Sequence, residues 1–109
     1  MNFSKLTYLI ISLNSAIDSG KYQTIDLEEV KTQVERENIF AWLEQTLGKD
    51  IDLSLYNAET RSEISKMLAD GEVGWSGQDR RKFGVEKQGL CLLLAWVNEL
   101  VQNRFREAR

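Results

Sequence analysis

Leu90-Cys91-Leu92-Leu93-Leu94-Ala95-Trp96-Val97-Asn98-Glu99-Leu100-Val101 is the stretch that decides the fold. Wound as a helix, at 100° per residue, it carries apolar side chains on more than one side of the rod. Leu90, Leu93, Leu94, Val97, Leu100 and Val101 share one broad face, the side expected against a core. Val85, Gly89, Leu92 and Trp96 form a second stripe, with Glu99 and Asn103 polar below it. Two readings follow. In the first, this is the central helix of a bundle, covered on both sides by the helices before it. In the second, Val85, Gly89, Leu92 and Trp96 are the candidate partner-binding residues: Gly89 admits a second backbone, and Trp96 supplies the binding energy that tryptophan often gives an interface.

Working outward from that helix, apolar spacing predicts three or four more. Leu6, Leu9, Ile10, Leu13 and Ile17 make one helical face, with Ser4 as the expected N-cap and Gly20 just past the end. Asp26 with Glu29 has the form of a capping box, followed by Leu27, Val30 and Val34. That stripe fails at Glu37 and Asn38, and spacing resumes on another face with Ile39, Phe40, Leu43 and Leu47 before Gly48. Either Asn38 caps a new helix, or one helix divides its burial between two neighbours. Leu53, Leu55 and Tyr56 alternate like a strand but have no partner strand in the chain, which makes the segment a linker. Thr60 and Glu63 form a second capping box, with Asn57 as a competing cap, ahead of Ile64, Met67 and Leu68; Asp70-Gly71 ends that helix. A glycine-rich loop around Trp75 and a short turn ending at Gly84 lead to the last helix, expected from Val85 onward.

The expected architecture is therefore all-α, a compact bundle of four to five helices with a long C-terminal helix, formed as a single domain over residues 1–109. A chain of 109 residues, 42% of them apolar, can bury about two-thirds of its unfolded surface and needs no disulfide or structural metal. The absence of proline leaves long helices uninterrupted.

Composition also excludes chemistry. Without histidine the chain lacks the usual proton shuttle at neutral pH and the commonest nitrogen ligand for transition metals. A lone cysteine, Cys91, makes no internal disulfide or zinc cluster, has no histidine to activate it, and sits in an apolar run as a small buried hydrophobe. A reducing, cytoplasmic setting is expected. Lys5 and the apolar residues 6–13 resemble the front of a secretory signal, but Thr7 and Ser12 interrupt them and no small-residue cleavage site follows. The longest apolar run, residues 90–97, is far short of the ~20 residues that span a bilayer.

Candidate ligand motifs fail on their spacing. Asp50, Asp52 and Ser54 imitate the start of a calcium loop, yet Leu55 stands where glycine is needed and Arg61 where the bidentate glutamate belongs. Glu59 and Glu63 share a helical face without a matching carboxylate pair on another helix. Gly71, Gly74 and Gly77 match neither a phosphate loop nor a dinucleotide fingerprint. No catalytic, metal or cofactor residue is assigned, and an enzyme is not expected.

Charge is divided unevenly. Residues 1–79 carry seven basic and fourteen acidic side chains, residues 80–109 seven and three. The expected function is that of a non-catalytic protein–protein interaction module, in its simplest form a homodimer joined through the C-terminal helix. An alternative is an acidic inhibitor or antitoxin-like protein that masks a basic partner surface with residues 26–37. Third in order comes nucleic-acid binding by Trp75 as a stacking platform beside Arg80, Arg81 and Lys82, against which stands the ordinary solvated basic turn.

Overall fold

A computed structural model describes residues 3–22, 25–70 and 89–107. Five α-helices account for most of them: α1 (Phe3–Asp18), α2 (Leu27–Glu35), α3 (Ile39–Leu47), α4 (Ala58–Ala69) and α5 (Gly89–Glu107), with a 3-10 turn at Leu53–Leu55. No strand occurs among the described residues. The radius of gyration, 13.0 Å, equals the ~13 Å of a compact domain of this length. The expected glycine-rich loop, the turn to Gly84 and the start of the last helix at Val85 lie outside the described residues.

Helix α1 buries Leu6, Leu9, Leu13 and Ala16, a strict one-face spacing, with Ile10 and Ile17 half-buried beside them. Ser4 lies inside its first turn rather than before it, so it is not the N-cap. The helix ends at Asp18; the Gly20 N–H closes its last turn onto the Ile17 carbonyl at 3.2 Å, and a φ of 75° at Gly20 turns the chain away.

Helix α2 starts as expected at Asp26, which accepts the Glu28 N–H at 2.9 Å. The Glu29 carboxylate accepts the Trp42 indole N–H at 3.2 Å, joining α2 to α3. Of the two readings of residues 37–39, a new helix is correct. Glu37 takes a left-handed φ of 55°, its N–H bonds Val34 O at 3.0 Å, and the Asn38 N–H bonds Gln33 O at 2.9 Å, a complete reversal of the helix end. Asn38 then occupies the cap position of α3 without a side-chain cap bond, because its amide donates to Gln33 Oε1 at 3.0 Å.

Helix α3 buries Ile39, Phe40, Leu43 and Leu47 together with Trp42, and ends at Gly48. The segment expected as linker is an ordered corner. Asp52 caps the 3-10 turn through the Ser54 N–H, Leu53 and Tyr56 are buried, and Leu55 is left 48% exposed. Helix α4 is capped by Asn57, whose Oδ1 accepts the Thr60 N–H at 2.8 Å, so Thr60 receives no capping role. Its buried face is Ile64, Ser65, Met67 and Leu68.

Helix α5 occupies the middle. It packs against α1, α2 and α4, while α3 packs on α2 and α4. Every residue from Gly89 to Ala95 is buried, which is two turns with no solvent face, and Val97 and Leu100 continue the core. The expectation that Leu90, Leu93, Leu94, Val97 and Leu100 form the core face holds, with Val101 half-buried at its edge.

Candidate functional site

The second stripe of α5 is not a continuous outer surface. Gly89 sits against α2: its N–H donates to Ile25 O at 3.3 Å, and a Cβ at this position would collide with the Val30 methyl and lie 3.2 Å from Asp26 O. The backbone that approaches Gly89 belongs to the same chain. Leu92 is 1% exposed, and Cys91 and Ala95 beside it are buried too. Gly89 and Leu92, expected from the sequence to bind a partner, are thus both buried within the single chain, Gly89 against α2. Trp96 is half-buried and packed against the core, so part of its ring remains at the surface. Val85 lies outside the described residues, as do Trp75, Arg80, Arg81 and Lys82.

Several carboxylates hold the fold, among them Asp50 and Asp52 of the calcium-loop mimic. Asp26 and Asp52 cap helical turns, and Glu29 holds Trp42. Asp50 accepts the Tyr22 hydroxyl and pairs with Lys21 at 3.6 Å, tying the segment after α1 to the end of α3. The Tyr22 hydrogen bond draws the Asp50 carboxyl below the usual range, Lys21 and Lys49 adding to it, while the bonds from Ser54 do the same for Asp52. Among the described residues no group of three His, Cys, Asp or Glu could hold a metal ion. No described helix is long and apolar enough to cross a membrane.

Arg61, met in the sequence only as the residue that spoils a calcium loop, turns out to hold the corner together. From the first turns of α4 its Nε donates to Tyr56 O and its Nη2 to Leu53 O, both at 2.8 Å, while Nη1 pairs with Glu44 of α3 at 2.9 Å. The guanidinium also lies 5.8 Å from the Phe40 ring centroid. Arg61, Glu44, Asp52, Ser54, Tyr22 and Lys49 are among the residues that line an open groove of about 710 Å³. Only spacing could have found Trp42, which falls one helical turn beyond Ile39; the Arg61–Glu44 and Tyr22–Asp50 contacts join residues far apart in the chain and leave no local signal.

The outer side of α2 and the α2–α3 corner present Glu28, Glu35, Arg36 and Glu37 to solvent, with Lys31 half-buried and 3.8 Å from Glu28. This is an acidic face, as the alternative reading of residues 26–37 requires, although Asp26 and Glu29 are engaged within the fold. No family model, curated protein or solved structure matches this chain.

Proposed function

We propose that this chain is a non-catalytic protein-binding module whose acidic α2 side and α2–α3 corner dock on a basic surface of another protein. One observation carries the reading: residues 1–70 hold twelve acidic side chains against seven basic ones, and the most constrained cation, Arg61, is turned inward onto two carbonyls and Glu44. What faces solvent from α2 and the α2–α3 corner is then Glu28, Glu35 and Glu37 against Arg36, with the Glu28 side chain 77% exposed. Such a face steers and orients a basic partner, an effect that weakens as salt shortens the screening length. The non-catalytic part is supported by the structural work of Asp26, Glu29, Asp50 and Asp52. We place the module in the cytoplasm, where a single buried cysteine stays reduced.

The test is capture from a native extract by the wild-type chain and by the triple variant Glu28→Lys, Glu35→Lys, Glu37→Lys, with circular dichroism to establish that both are helical. Wild type is expected to retain a partner that elutes as salt rises, and the triple variant to lose it. Undiminished capture of the same protein by the folded triple variant would remove the acidic-face reading. Self-association is a second reading, favoured by the exposed part of Trp96 on α5. Light scattering decides it, because a single-chain mass at high concentration leaves no homodimer.

A further inference from the structure

We draw no further inference here: the strongest candidate, the groove between α3, the Leu53–Leu55 turn and the start of α4, sets Glu44 and Asp52 against Lys49 and Arg61 beside Ile51 and Leu53 that are themselves already buried, and nothing in the structure shows what covers it.

Discussion

Glu37 is the only non-glycine residue with positive φ among those described, at 55°. A side chain there crowds the following carbonyl, at a cost of about 1–2 kcal/mol that glycine avoids. Glu37→Gly is therefore expected to raise stability by about 1 kcal/mol in urea denaturation, and an unchanged or lower midpoint would show that the Glu37 side chain contributes something to the fold that offsets its backbone. Tyr56 makes the opposite case, a polar group well placed. Its ring packs 5.4 Å from Phe40 and its hydroxyl donates to Lys5 O at 2.5 Å, fixing the corner before α4 to α1. Burial, with Tyr8 nearby, holds the Tyr56 phenol neutral well above its ordinary range. Because the folded value is the higher one, its contribution is intact below about pH 10, where unfolded tyrosine ionises, and is lost as pH climbs through the folded value. Tyr56→Phe should cost about 1 kcal/mol at neutral pH and flatten the alkaline loss of stability; an equally steep alkaline loss would assign that loss to other groups. Neither residue was legible in the sequence: nothing local marks Glu37 as left-handed, and Tyr56 finds its partner 51 positions away.

Elements were easier to read than the contacts between them. Periodicity placed α1, α4 and the core face of α5 and found the stripes of α2 and α3 without separating them, because one-sided burial writes itself into spacing. Caps were less legible, since Asn57 and Thr60 are both good cap residues and only the folded backbone chooses between them. Gly89 shows the limit most sharply: its small size was visible, but which helix comes close to it was not. The contact with Val30 yields a prediction. Gly89→Ala is expected to lose about 1–3 kcal/mol through overpacking against a stiff, fully buried valine, more than the helix propensity of alanine returns. Adding Val30→Ala should recover part of that loss, giving a coupling energy in a double-mutant cycle. Strict additivity of the two changes in equilibrium denaturation would mean that the α2–α5 contact is looser than described.

For the molecule as a whole, the position of α5 decides what its apolar excess means. Over residues 89–95 the helix presents no exposed residue in the single chain. Trp96→Asp should then lower stability by about 2–3 kcal/mol at every protein concentration, because Trp96 packs on the core. A variant of unchanged stability that merely halves the particle mass would instead make Trp96 an interface residue. Fold class was thus legible from composition and periodicity, whereas the use of the surface was not, since charge on a helix exterior serves solubility and recognition alike. Arg61 has a last consequence for the architecture. A chain without proline has no ring to stiffen the joint between α3 and α4, and a guanidinium clasped to two carbonyls takes that place. Stiffness of this kind is concentrated in one side chain, which ties Leu53, Tyr56 and Glu44 together across the elbow.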